Sequence, residues 1–151
     1  MKKSICIIET GGTISVKTDK PLAEFYGAPD VHISEFISEL GIENVTIDYK
    51  AVAHKISHEL TINEIQELAE LITKILSSDT DGVIVSMGTN AIEDIAYYTG
   101  LLVNTNKPII FTGSHYPQGS LFFDGVANGH DAGIACLLHC TTPDKTCPPS
   151  T

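Results

Sequence analysis

Four short segments rich in apolar residues, each followed within a few residues by small polar residues, constrain the fold of this chain more than any other feature. Their length and their content of β-branched side chains predict buried strands. Three of them are nearly continuous apolar runs, and the second alternates between apolar and polar residues. The four runs cover residues 4–8, 44–53, 82–86 and 107–111.

Segments with helical spacing separate these runs. The clearest begins at Thr61, where Thr61 and Glu64 have the spacing of a capping box and one apolar stripe follows as far as Ser77. Further helices are predicted over residues 31–40, 91–103 and 126–138, and Asp124 is predicted to cap the last of them. Alternation of strands and helices predicts an α/β fold of three layers, α/β/α, with a mainly parallel sheet.

The 151 residues fit one compact domain. We expect this domain to cover residues 1–140. Residues 141–151 are rich in Pro, Thr and Cys and show no periodicity, so we expect an irregular C-terminal tail there.

The charge balance excludes whole classes of partner. The chain has nine lysines, no arginine and a formal net charge of −10, which argues against nucleic acid and against an anionic membrane surface. There is no apolar run long enough to span a bilayer, and the first apolar stretch ends at Glu9, too early for an export signal. We therefore expect a cytoplasmic protein whose four cysteines are free thiols.

Small polar residues follow every predicted strand. The carboxyl ends of parallel strands lie at one edge of a sheet, where such folds bind ligands, so a site for a small polar molecule is predicted there. The alternative is that these are ordinary turn residues. No phosphate-binding glycine motif is present. The residues concerned are Thr10, Gly11, Gly12 and Thr13; Ser57, His58 and Glu59; Ser86, Gly88, Thr89 and Asn90; and Thr112, Gly113, Ser114 and His115.

Two groups of side chains raise the question of zinc. His54 and His58 have the i, i+4 spacing that suits a helix face but lie in a predicted loop, and we expect surface or ligand-contacting histidines and free thiols instead. The prediction is that the protein has no metal and no cofactor. The groups are His54, His58, Glu59, His115, His130 and Asp131, and Cys136, His139, Cys140 and Cys147.

Three segments resemble signatures of the bacterial-type L-asparaginase family. Residues 9–14, ETGGTI, resemble its N-terminal signature, and residues 85–97, VSMGTNAIEDIAY, resemble its second signature. Residues 107–117, KPIIFTGSHYP, resemble the strand and loop that follow. The resemblance runs from about residue 4 to about residue 138 and implies the fold of the family's N-terminal domain, with its smaller second domain absent.

The resemblance implies an amidohydrolase that converts L-asparagine to aspartate and ammonia without metal or cofactor. Thr13 corresponds to the nucleophile, Thr89 to a second catalytic threonine and Tyr26 to a tyrosine of the loop beside the nucleophile. The implied substrate-binding residues are Gly12, Ser57, His58, Gly88, Asn90 and Ser114.

The chain departs from the family's pattern at the substrate-binding residues. Asn90 stands where the family has an acid that pairs with the substrate's ammonium, and His58 stands where it has Gln, Glu or Asp. The catalytic lysine of the family would follow a strand beyond the last matched helix, and Lys145 in the tail is a poor substitute.

Three hypotheses remain open. The first is an active short-form amidohydrolase, the second is a module that binds an amino acid with little or no turnover, and the third is a fragment that folds poorly. A homo-oligomer, a dimer or a tetramer, is also expected, because helices that a second domain would cover expose apolar faces.

Overall fold

The computed structural model describes residues 2–17, 33, 44–52 and 55–141. Four strands are present, namely β1 (Lys3–Glu9), β2 (Val45–Ala51), β3 (Gly82–Ser86) and β4 (Ile109–Thr112). The helices are α1 (Ile62–Leu76), α2 (Ile92–Leu102) and α3 (Gly125–Thr141). The predicted helix over residues 31–40, apart from Ile33, and the tail beyond residue 141 lie outside the described residues.

The four strands form one parallel sheet in the order β2-β1-β3-β4. The register pairs Glu9 of β1 with Ala51 of β2 and with Ser86 of β3, and pairs Ser86 with Thr112 of β4. All four carboxyl ends therefore lie at the same level. The strand that follows β1 in the chain, β2, lies toward one edge of the sheet, and the strand that follows β3, β4, lies toward the other edge. The crevice between β1 and β3 is therefore a topological switch point.

Helices cover both faces of the sheet. One face of β1 and β3 packs against α1 and α2, and its buried residues include Ile8, Val85, Ile72 and Ile95. The other face packs against α3, where Ile84 lies in one cluster with Ala132 and Cys136. A sheet buried on both faces needs near-continuous apolar strands, which explains the sequence pattern of β1 and β3. The predicted three-layer α/β/α class is confirmed.

The capping box predicted at the start of α1 is present. The Thr61 hydroxyl accepts a hydrogen bond from the Glu64 backbone N–H, and the Glu64 carboxylate accepts one from the Thr61 N–H at 2.8 Å. Lys55 also donates to Glu64, and this bond, followed by those from Thr61, lowers the pKa of Glu64 to about 2. The ion pair ties the segment after β2, which carries Ser57 and His58, to the helix.

Several element boundaries differ from the prediction, among them those of the last strand and the last helix. The last strand starts at Ile109 rather than at residue 107, because Pro108 has no N–H to donate to the ladder. Lys107 instead donates from Nζ to the carbonyls of Leu76 and Ser78, at the end of α1. The last helix runs from Gly125 to Thr141, longer than the predicted 126–138.

Two sequence expectations concern bilayers and thiols. None of the helices in the described part of the chain is both long and apolar enough to cross a membrane. Cys6, Cys136 and Cys140 are free thiols, as predicted, and Cys147 lies outside the described residues. Burial raises the pKa of Cys6 and Cys136, so neither buried thiol is suited to act as a nucleophile.

Candidate functional site

The segment after β1 forms a tight turn that presents Thr13. Gly11 and Gly12 have φ angles of 104° and 90°, a region that favours glycine, and they lead into a short 3-10 turn over Thr13–Ser15. Ile14 is buried in the cluster below α3, whereas Thr13 is only half-buried. The buried neighbour fixes the turn, and the Thr13 hydroxyl forms no hydrogen bond with any other described residue.

The turn after β1 packs directly against the loop after β3. A Cβ atom on Gly12 would lie 2.6 Å from Gly88 Cα, closer than real Cβ atoms approach other atoms. The Thr10 N–H and hydroxyl both donate to the Ser86 carbonyl, at 3.0 and 3.2 Å. The segments that carry Thr13 and Thr89 are therefore held side by side at the switch point.

The loop after β2 joins the same cluster through Ser57. Its side chain is buried, and its Oγ accepts a hydrogen bond of 3.2 Å from the Ala91 N–H. A Cβ atom on Gly88 would lie 3.1 Å from Ser57 Oγ, so these loops are also in close contact. Because a hydroxyl that accepts one hydrogen bond still has its own proton to donate, Ser57 retains a donor for a ligand.

Thr89 and Asn90 begin the 3-10 turn Thr89–Ala91, which runs directly into α2. Thr89 is half-buried and packs toward Gly113, whose Cβ atom would lie 3.1 Å from the Thr89 methyl group. Asn90 is exposed, and its Nδ2 lies 3.3 Å from Nδ1 of His58. This contact links the loops after β2 and β3 at the exposed surface.

The loop after β4 is held by two residues of the following helix region. Asp124 directly precedes α3, the cap position that the sequence predicts, and its carboxylate accepts hydrogen bonds from the backbone N–H groups of His115 and Tyr116. Asn128 donates from Nδ2 to the Gly113 carbonyl and to Asp124. Burial opposes the charged form of Asp124, but these hydrogen bonds outweigh it and lower its pKa.

A row of polar side chains lies at the last register position of β1, β3 and β4. Glu9 is fully buried, and its carboxylate accepts hydrogen bonds from the Ile33 N–H at 2.6 Å and the Tyr49 hydroxyl at 2.7 Å. Burial, followed by the bond to Glu9 and its charge, raises the pKa of Tyr49. The Ser86 hydroxyl is buried without a hydrogen-bond partner among the described residues.

The structure brings together eight of the nine site residues that the sequence predicts. They occupy the loops after β1, β2, β3 and β4, and the side chain of Ser114 turns inward to donate to the Tyr116 carbonyl at 2.9 Å. Tyr26 and Lys145 lie outside the described residues. The eight are Gly12, Thr13, Ser57, His58, Gly88, Thr89, Asn90 and Ser114.

Sequence reasoning missed three residues that support the site, namely Glu9, Asp124 in its loop-holding role, and Asn128. For Glu9 the available signal was a carboxylate at the end of an otherwise apolar, buried run.

No group of three or more His, Cys, Asp or Glu side chains that could hold a metal ion occurs within residues 2–17, 33, 44–52 and 55–141.

Comparison with known proteins identifies relatives with the same fold. The family model described as Asparaginase, N-terminal, matches residues 4–143. A glutaminase-asparaginase from Acinetobacter glutaminasificans is 30% identical over 138 residues, which are 87% of this chain and 41% of that protein. L-asparaginase 2 of Bacillus subtilis is 30% identical over 135 residues, 85% of this chain and 36% of that protein.

A solved structure agrees with these sequence matches. The crystal structure of a probable cytoplasmic L-asparaginase from Campylobacter jejuni superposes with a TM-score of 0.77 and 27% sequence identity. The match covers 90% of this chain and 42% of the Campylobacter chain. The chain thus spans about two-fifths of the length of the relatives it matches.

The contact between Gly12 and Gly88 gives a testable prediction. Gly12→Ala should lower the free energy of unfolding by about 3 kcal/mol or more, because the new Cβ atom meets the Gly88 backbone and φ is positive. The matched control is Gly100→Ala in α2, where the new atom meets nothing within 4 Å and helix propensity should add about 0.5–1 kcal/mol. Urea unfolding of both variants measures the difference, and equal stability would contradict the contact.

Proposed function

This chain belongs to the asparaginase family and matches its N-terminal domain, and on that basis we propose that it is an amidohydrolase. The proposed reaction hydrolyses the side-chain amide of L-asparagine to aspartate and ammonia. The observation that carries the proposal is the close approach of Gly12 to Gly88, which places the half-buried Thr13 and Thr89 on adjoining turns at the switch point.

Thr13 is the proposed nucleophile. Its hydroxyl oxygen attacks the amide carbon, the carbon–nitrogen bond breaks, and the nitrogen leaves as ammonia after taking up a proton. Water then cleaves the resulting ester, which releases aspartate and restores the hydroxyl. Tyr26, which corresponds to the family's loop tyrosine, is proposed as the group that accepts the hydroxyl proton. The Thr13 side chain is half-buried, and its hydroxyl forms no hydrogen bond with any other described residue. Both features support the role of Thr13 as the nucleophile.

Thr89 and the surrounding backbone are proposed to stabilise the negative charge that develops on the amide oxygen. Backbone N–H groups that approach a ligand closely need residues without bulky side chains, which Gly12 and Gly88 provide. The loop held by Asp124 and Asn128 positions the backbone near Ser114 for the leaving amide.

The α-carboxylate and amino group of the substrate are proposed to bind on the other side of the switch point. Ser57 accepts from Ala91 and keeps its own proton, so it can donate to a carboxylate oxygen. His58 and Asn90 lie beside it at the exposed surface and are proposed to contact the amino group.

A second candidate function is a module that binds an amino acid without turning it over. The observation that favours it is that Thr13 forms no hydrogen bond to a base within the described part of the chain. An unassisted threonine hydroxyl is a weak nucleophile, so binding without catalysis would follow if no base were supplied.

Ammonia release from L-asparagine distinguishes the two functions. The wild-type protein should release ammonia, Thr13→Ala should lose about 10³-fold or more in kcat, and Thr89→Ala about 10²–10³-fold. Thr13→Ser should retain part of the activity, because it keeps the hydroxyl. The matched control is Thr73→Ala in α1, whose hydroxyl donates to the Ala69 carbonyl and which should keep full activity.

Undiminished activity in Thr13→Ala would contradict the proposed mechanism. A folded wild-type protein that binds L-asparagine in a calorimeter and releases no ammonia would establish the binding module instead.

We also propose a cytoplasmic homo-oligomer. The support for assembly is a set of large apolar side chains left exposed on α2 and on the loop before α3, and the support for the compartment is the description of the Campylobacter relative as cytoplasmic. Light scattering should give the mass of a dimer or a tetramer, and a monomeric mass would contradict the assembly. The exposed side chains are Tyr97, Leu101, Leu121 and Phe122.

A further inference from the structure

Two cysteine side chains meet at the amino-terminal edge of the sheet, at the opposite end of the strands from the candidate site. Cys136 and Cys140 lie four residues apart on α3, so they face the same side of this helix. Both sulfur atoms lie over Gly82, the first residue of β3, where a Cβ atom would be 2.5 Å from Cys136 Sγ and 3.3 Å from Cys140 Sγ. The two sulfurs are therefore at most 5.8 Å apart, the sum of these distances.

Hydrogen bonds hold the two thiols in this position. Cys140 Sγ donates to the Asp81 carbonyl at 3.3 Å and accepts from the Cys136 thiol. Cys136 is fully buried, whereas Cys140 is half-buried near the end of α3. An ion from solvent therefore reaches the pair from the side of Cys140.

The spacing of the pair suits a bridging ion better than a disulfide. Cβ atoms four residues apart on a helix are about 5–6 Å apart, whereas a disulfide needs them about 3.5–4.5 Å apart. A disulfide would therefore distort the last turn of α3. An ion bound to both sulfurs through bonds of about 2.3 Å spans sulfurs that are about 4–4.6 Å apart. This span is within the limit that Gly82 sets.

The surroundings favour an ion that takes two ligands. Within the described part of the chain, no third His, Cys, Asp or Glu side chain joins the pair in a metal-binding group. His139, the neighbour of Cys140 on α3, is exposed, and its Nδ1 lies 2.8 Å from the Ala135 carbonyl. Two sulfurs do not satisfy zinc, which takes at least three protein ligands. Cu(I) is a soft ion that thiolates select, and it is stable with two sulfur ligands.

Two lysines offset the charge that such a site acquires. Two thiolates and one Cu(I) together carry one net negative charge. Lys3 Nζ donates to the Cys140 carbonyl at 3.1 Å and to the Asp81 carboxylate at 3.2 Å. Burial, followed by the charge of Asp81, raises the pKa of Cys140, and the charges of Lys3 and Lys107 oppose that rise. These two ammonium groups therefore favour the negative charge of the loaded pair.

We propose that Cys136 and Cys140 form a binding site for a single Cu(I) ion, held between the two sulfurs at the amino-terminal edge of the sheet. Each thiol gives its proton to solvent as its sulfur–copper bond forms, and copper stays in the Cu(I) state, so no electron is transferred. The proposal departs from the sequence prediction of a protein without metal. It is independent of the proposed amidohydrolase function, because the residues of the candidate site lie at the carboxyl ends of the strands.

Competition with a coloured chelator of Cu(I) tests the site. The reduced protein, kept free of oxygen, is titrated into the complex of Cu(I) with bicinchoninate, whose absorbance falls as the protein takes up the ion. The wild type should take up one Cu(I) per chain. Cys136→Ala and Cys140→Ala should each lose this uptake, because a single thiolate does not compete with the chelator.

The two other cysteines supply the matched controls. Cys6 is buried on the other face of β1, in the cluster that packs against α1, and Cys6→Ala should take up one Cu(I) as the wild type does. Cys147 lies outside the described residues, and Cys147→Ala should also keep the uptake. Loss of uptake in either control would overturn the assignment of the site to Cys136 and Cys140.

A double variant separates a formed site from the mere presence of two thiols on α3. His139→Cys combined with Cys140→Ala keeps the number of thiols but moves one of them to an exposed position of the helix. This variant should not take up the ion, because the moved sulfur no longer faces Cys136. Circular dichroism of each variant checks that it is folded.

X-ray absorption spectroscopy of the loaded wild type identifies the ligands of the ion. The expected result is two sulfur neighbours and no nitrogen or oxygen neighbour. A third sulfur neighbour would overturn the site of two thiols, and so would uptake of one Cu(I) by folded Cys136→Ala or by the folded double variant. Absence of uptake by the folded wild type would overturn the proposal outright, and the proposed amidohydrolase function would not be affected.

Discussion

The close contact between Gly12 and the Met87–Gly88 peptide is the constraint on which the rest of the site depends. The parallel register brings the strand ends to one level, but loops that carried ordinary side chains would be kept apart by them. At this contact a Cβ atom would lie 2.6 Å from Gly88 Cα, so the two backbones meet without one. The same approach brings the turn that carries Thr13 next to the turn that carries Thr89, and Gly88 in turn lies against Ser57.

Hydrogen-bonded polar groups, one fully buried and two half-buried, hold the end of β1 and the loop after β4, which adjoin this contact. Glu9 lies at the last position of β1, fully buried, and connects the sheet to Ile33 and to Tyr49 on β2. Asp124 and Asn128 hold the loop after β4 by hydrogen bonds to the backbone of Gly113, His115 and Tyr116, and they bond to each other. Buried or partly buried polar networks of this kind stabilise one arrangement of the chain, because each group left without a partner costs free energy.

Much of the fold could be predicted from the sequence, because its signals are local. The predicted strand over residues 82–86 matches β3 residue by residue, and the capping box at Thr61 marks the start of α1. The strand β4 begins two residues later than predicted, and this difference also has a local cause, because Pro108 cannot donate a ladder hydrogen bond.

The clustering of the candidate site residues could be predicted from the sequence, but their contacts could not. Eight of the nine predicted residues lie in the loops that follow the strands, because the topology of a parallel sheet brings the carboxyl ends of the strands together. The partner of Asn90 could not be predicted, since His58 is 32 residues away and its position depends on the register of β2. The role of Asp124 in holding His115 and Tyr116 depends likewise on how the loop folds back.

The position of the covalent intermediate tests the proposed mechanism most directly. The protein is mixed with L-asparagine, quenched with acid during turnover, digested and analysed by mass spectrometry. The predicted result is one aspartyl group attached by an ester bond to the peptide that contains Thr13, and no such peptide in Thr13→Ala. An aspartyl group on the peptide that contains Thr89, or ammonia release with no modified Thr13 peptide under the same quench, would contradict it.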